Sequence, residues 1–128
     1  MIDKIDYWAE LSDYDYDTAE AMLASKRYLY VGFMCHQTIE KIFKALYWKL
    51  KNDIPPFSHS LSYIAKKGEF YDLFAESQKD FIDKIEPLNI EARYPSYKER
   101  LLKSLSETKC KEILTETKQL QQWIKSKL

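Results

Sequence analysis

The chain has 128 residues, enough for one domain with a buried core. A hydrophobic share of 45% with 31% charged residues excludes a disordered chain, and two glycines with four prolines are too few for a turn-rich β fold. Twenty basic and twenty acidic residues cancel, which excludes a global field drawing the protein onto nucleic acid.

Residues 3–25 are predicted to form the first helix, with Ile5, Trp8, Ala9, Ser12, Tyr16, Ala19, Met22 and Leu23 along one side. Acids fill the rest of it. The alternation Asp13-Tyr14-Asp15-Tyr16-Asp17 resembles a metal loop on paper, but on a helix only Asp13 and Asp17 share a face. No metal or other cofactor is expected. Residues 1–24 carry seven acids against Lys4, whereas residues 98–128 carry eight bases against four acids. Packing of the first helix on the last, or of one copy on another, would bring these charges together.

The second predicted helix covers residues 28–51. Val31, Cys35, Ile39, Ile42, Phe43, Leu46 and Leu50 form an apolar stripe, and His36, Gln37, Glu40, Lys41 and Lys44 are expected on the opposite, polar face. Pro55 and Pro56 stop this helix, since paired prolines remove amide donors and restrict the residue before them. Ser58 is a candidate cap for a short third helix running through Lys67, with Gly68 as its stop. The fourth helix is predicted over residues 70–85, carrying Phe70, Leu73, Phe74, Phe81, Ile82 and Ile85, with Pro87 opening a loop. The last helix spans about residues 106–127 and turns Cys110, Ile113, Leu114, Thr117, Leu120 and Ile124 inward. Cys35 and Cys110 lack metal-like spacing and read as buried free thiols.

These elements make an all-α chain: an antiparallel four-helix up-and-down bundle with an additional short helix, in a single domain over residues 1–128. Three tryptophans and ten tyrosines are a heavy aromatic load for this size, and such rings suit a subunit interface. No signal sequence and no membrane-length apolar run are read, so the cytoplasm is the expected location and no membrane partner is expected.

Three fragments occur in order: His36-Gln37 with Glu40-Lys41 and Lys44-Ala45, then His59-Ser60-Leu61, then Ala92-Arg93-Tyr94-Pro95. Together they resemble the HEPN family (higher eukaryotes and prokaryotes nucleotide-binding domain), in particular its small stand-alone prokaryotic branch. The resemblance implies a helical bundle, a homodimer, and a separately encoded minimal nucleotidyltransferase as partner. Some branches are metal-independent ribonucleases that act as toxins or in phage defence, using an arginine followed shortly by a histidine. After Arg93 the corresponding positions hold Lys98, Glu99 and Arg100, so catalysis by that route is not expected.

The expected function is therefore an accessory protein that binds a nucleotide or phosphate-bearing substrate, or partners a nucleotidyltransferase. Its candidate ligand-binding residues are Arg93, Tyr94, Lys41, Lys44, His36, Gln37 and Glu40. Arg93 and the lysines would neutralise phosphate, Tyr94 would stack on a base, and His36 with Glu40 would orient the group. His59 reads as a helix-start or packing residue. The alternatives are a metal-independent endoribonuclease acting on RNA, in which His36 or His59 reaches Arg93, and a pure protein-interaction module.

Overall fold

The computed structural model describes residues 3–91, 99–100 and 103–128. The fold is an antiparallel helical bundle: α1 (Lys4–Ala24), α2 (Tyr28–Lys51), the short α3 (Leu61–Lys67), a 3-10 turn (Tyr71–Leu73), α4 (Glu76–Glu91) and α5 (Glu107–Lys125). Among the described residues there is no strand, and no helix is long and apolar enough to cross a membrane.

Local sequence sets the ends of these helices. Asp3 caps α1 by accepting from the Ile5 amide, Ser60 caps α3, and Ser106 caps α5. The α3 cap is thus Ser60 rather than Ser58, whose hydroxyl instead accepts from the Ser60 amide. Asn52 ends α2 in the left-handed conformation (φ 51°), which a short amide side chain tolerates.

The fourth helix departs from the sequence expectation at both ends. Residues 71–73 form a separate 3-10 turn, and α4 then runs through Pro87 to Glu91. Pro87, which offers no amide to the Asp83 carbonyl one turn back, is exposed, as is Asp83. The apolar and polar residues beyond it, Leu88 and Asn89, are buried against α2 and hold the helix in place.

α2 is the central element, packing against α1, α3, α4 and α5. This burial on all sides explains why Val31, Cys35, Ile39, Ile42, Phe43 and Leu46 are all in the core. Leu50 is a correction: at 50% exposure it lies beyond the neighbouring helices. Gly32 lets α4 approach closely, since a Cβ there would lie 3.0 Å from Leu88 Cδ1. Around Phe43, the rings of Phe70 and Phe74 pack at 5.5 Å each, and Trp123 of α5 meets Phe74 at 5.4 Å. The charge asymmetry between the chain ends is used within the fold, because Asp13 of α1 pairs with Lys125 of α5 at 2.5 Å.

Candidate functional site

The polar side of α2 is not a solvent face. His36 is fully buried, Glu40 is 2% exposed, and Gln37 and Lys44 are 8% exposed each. The expectation of an outward polar face fails because α1, α3 and α4 cover that side as well. Buried polar groups must then find partners, since an unpaired one costs about 1–3 kcal/mol.

Glu40 sits at the centre of these pairings. Its Oε2 accepts from Lys44 Nζ at 3.0 Å, the i to i+4 pair legible in the sequence. Its Oε1 accepts from His59 Nδ1 at 3.0 Å and lies 3.9 Å from His36 Nδ1, too far for a hydrogen bond. Lys44 Nζ also stands 5.3 Å from the centre of the Trp8 ring, within cation–π range.

Glu86 of α4 is a further carboxylate on this side of α2, half-buried. His36 Nε2 donates to its Oε2 at 3.3 Å, the Ser60 hydroxyl donates to Oε1 at 2.9 Å, and the Leu61 amide donates to Oε1 at 2.8 Å. Burial alone would raise this carboxyl's pKa. The hydrogen bonds from His36, the Leu61 amide and Ser60 outweigh that and hold it below the ordinary value. The start of α3 is therefore fastened to α4 through one carboxylate.

Two further links complete the polar layer. Gln37 Nε2 donates to Asn89 Oδ1 at 3.0 Å, tying α2 to α4 near the end of that helix. Lys41 Nζ donates to Asp15 Oδ2 at 2.7 Å, tying α2 to α1. His59, Glu40, His36 and Glu86 thus follow one another along α2 with Lys44 on Glu40, while Gln37 and Lys41 make separate pairs to α4 and α1. Among the described residues no three His, Cys, Asp or Glu side chains converge in a way that could hold a metal ion.

The layer reaches solvent mainly at His59, which is 56% exposed. Its Nδ1 is taken by Glu40, and its Nε2 has no partner among the described residues. A carboxylate-oriented imidazole of this kind can donate to an anion or exchange a proton. Arg93 and Tyr94, the remaining candidates, lie outside the described residues.

Sequence reasoning missed Glu86, Asn89, Ser60 and Asp15, and read His59 as a packing residue. A signal was present for two of them. Ile82, Ile85, Glu86, Leu88 and Asn89 follow the three-to-four spacing of one helix face, so an acid and an amide stood on an apolar stripe. Such residues facing the polar side of α2 are expected to be its partners.

Comparison with known proteins agrees with this architecture. The crystal structure of TT1696 from Thermus thermophilus superimposes with a TM-score of 0.84 at 16% identity, covering 99% of this chain and 100% of that one. At that identity the likeness shows the fold alone. No curated protein matches the chain in sequence. The HEPN domain family model matches residues 5–127, nearly the whole chain, and the protein therefore belongs to the HEPN family.

Proposed function

We propose that this HEPN protein is an accessory binding subunit that recognises a nucleotide or other phosphate-bearing substrate, partners a separately encoded minimal nucleotidyltransferase, and does no chemistry of its own. The observation that carries the reading is the assignment of Glu40: it fixes His59 at the surface while Lys44 takes its other oxygen. A positioned imidazole suits recognition of a phosphate oxygen through Nε2. With Nδ1–H committed to Glu40, Nε2 donates to a phosphate oxygen from the doubly protonated ring. Lys41 and Lys44, paired with Asp15 and Glu40, hold the frame of the site, Arg93 supplies the two-point phosphate contact, and Tyr94 stacks on the base. His36 and Gln37 serve as the scaffold.

Isothermal titration calorimetry with ATP and with AMP tests this reading. The expected result is saturable binding that weakens by about tenfold or more in Arg93→Ala and in His59→Ala, the usual scale for a lost charged hydrogen bond. Absence of binding to either nucleotide would overturn it.

A second reading is favoured by the same pair: a histidine backed by a carboxylate at 3.0 Å is also the arrangement of a general base. It predicts cleavage of RNA without added metal, lost in His59→Ala and in Arg93→Ala. No cleavage by the wild-type protein eliminates it.

A further inference from the structure

The turn Ser25–Arg27 folds α1 back onto α2, so the last two turns of α1 lie beside the first two turns of α2. Thr18, Met22 and Ser25 recur at three- and four-residue steps on one side, as do Arg27, Tyr30, Phe33 and Met34 on the other. These two rows line a trough of about 460 Å³, a volume in the usual range of a small-molecule pocket. Seven residues of helix rise roughly 10 Å, so the trough is elongated. Because the two helices are antiparallel, Ser25 and Arg27 stand together at one end of it.

The chemistry of the walls is uneven along that length. Met22 and Met34 are half-buried against the core, and their unbranched thioethers can follow the outline of an apolar guest. Phe33 and Tyr30 add ring surface. The hydroxyls of Ser25 and Thr18 are spent within α1, on the Ala21 and Tyr14 carbonyls at 3.0 Å each. Arg27 is the one charged residue lining the trough among the described residues. It is exposed, and its side chain makes no hydrogen bond or ion pair among them. Its backbone is fixed on both sides, since the amide donates to the Met22 carbonyl at 2.7 Å and the carbonyl accepts from the Tyr30 amide at 3.0 Å. α2 starts here without a side-chain cap, so the positive end of a 24-residue helix adds to the guanidinium.

We infer that this trough binds an amphipathic carboxylate with an unbranched apolar chain, the chain lying between the two methionines and the head group on Arg27. A single guanidinium matches a monoanionic carboxylate in two-point contact, whereas a phosphate dianion would leave charge unanswered. The cation stands at one end and the apolar walls run away from it, which is the order of groups in a fatty acid. A recess between two helices takes in a single chain, whereas binding to a membrane surface needs an apolar face that protrudes. None of the lining residues belongs to the pairings around Glu40, and the inference stands independently of the nucleotide reading.

Isothermal titration calorimetry of the full chain with decanoate, kept below its micelle-forming concentration, tests this directly. Saturable binding is expected, weakened about tenfold or more in Arg27→Ala, the scale of a lost charged hydrogen bond. Arg27→Glu changes an exposed, unbonded side chain and leaves the fold intact, and it should reverse the preference from decanoate to decyltrimethylammonium. In protein isotope-labelled at the methionine methyls, the Met22 and Met34 signals should shift as decanoate is added. No decanoate binding by the wild type, equal wild-type affinity for decanoate and decyltrimethylammonium, or unchanged decanoate binding in Arg27→Ala would each overturn the inference. An Arg27→Glu protein that still prefers decanoate, or Met22 and Met34 signals that stay in place, would do the same. So would Arg27-dependent co-sedimentation with phosphatidylglycerol vesicles by a protein that does not bind decanoate.

Discussion

Glu40→Gln isolates the central carboxylate of the buried layer while nearly conserving its volume. Lys44, 8% exposed, would lose its counter-ion and keep only the Trp8 ring at 5.3 Å. Breaking a buried pair by removing one partner costs about 3–5 kcal/mol, because the other charge stays desolvated and uncompensated. The aromatic ring offsets part of this, and His59 is exposed enough to rehydrate, so the lower end, about 3 kcal/mol, is expected. Against a total stability of about 5–15 kcal/mol this is a large fraction. With an m value of roughly 1.5 kcal/mol/M, the urea midpoint should fall by about 2 M. The double variant Glu40→Gln/Lys44→Met removes both charges and should recover most of the loss, since an apolar replacement of a buried pair is often neutral or stabilising. A loss under about 1 kcal/mol in the single variant, or a double variant no more stable than the single, would refute the argument that Lys44 depends on Glu40.

Acidification tests Glu86. Its carboxyl titrates below its ordinary value of 4.5 in the folded state, so its contribution is fully present above that value and is lost as pH falls through the depressed one. Urea melts from about pH 6 down to about pH 3 should show a shallower acid decline in Glu86→Gln than in wild type. Burial pushes the Cys35 thiol up to about 12 and the Cys110 thiol up to about 11, so a disulfide-exchange reagent near pH 8 should label neither in the native protein and both after denaturation. Gly68→Ala places a Cβ 2.5 Å from Phe70 Cε1, and Phe70 is fully buried against Phe43. Thermal unfolding should report a loss of about 1–3 kcal/mol, the usual cost of overpacking a core.

How far the fold could be read in advance follows from which residues carry a local signal. Helix ends at Ser106, Gly68 and Asn52 and the inward faces of α1 and α5 are matters of spacing and capping, and they fall where the pattern puts them. The 3-10 turn and the passage of α4 through Pro87 are not local matters. They depend on Leu88 and Asn89 docking on α2, a tertiary gain that exceeds the helix-breaking tendency of proline. The candidate site was legible only in composition. His36, Gln37, Glu40, Lys41 and Lys44 stood out as a mixture, but amphipathic spacing assigns polar residues to water by default. A helix surrounded on every side breaks that assumption, and no property of α2 alone reveals that α3 and α4 lie over its polar side.

A buried layer of this kind is a costly way to stabilise a bundle, because well-packed apolar residues would serve at least as well. What it adds is direction. Apolar contacts tolerate sliding, whereas Gln37 with Asn89, His36 with Glu86 and Glu40 with His59 fix both the register of α4 on α2 and the place where the chain enters α3. Asn89 stands two residues before the end of α4 at Glu91, so Gln37 also fixes where the chain sets out towards Arg93. Gln37→Leu with Asn89→Leu, which exchanges that hydrogen bond for apolar contact, therefore separates positioning from stability. If the layer exists to place groups, the pair should leave the urea midpoint near wild type and still weaken nucleotide binding. Loss of stability with binding unchanged would instead make the layer a fastening alone.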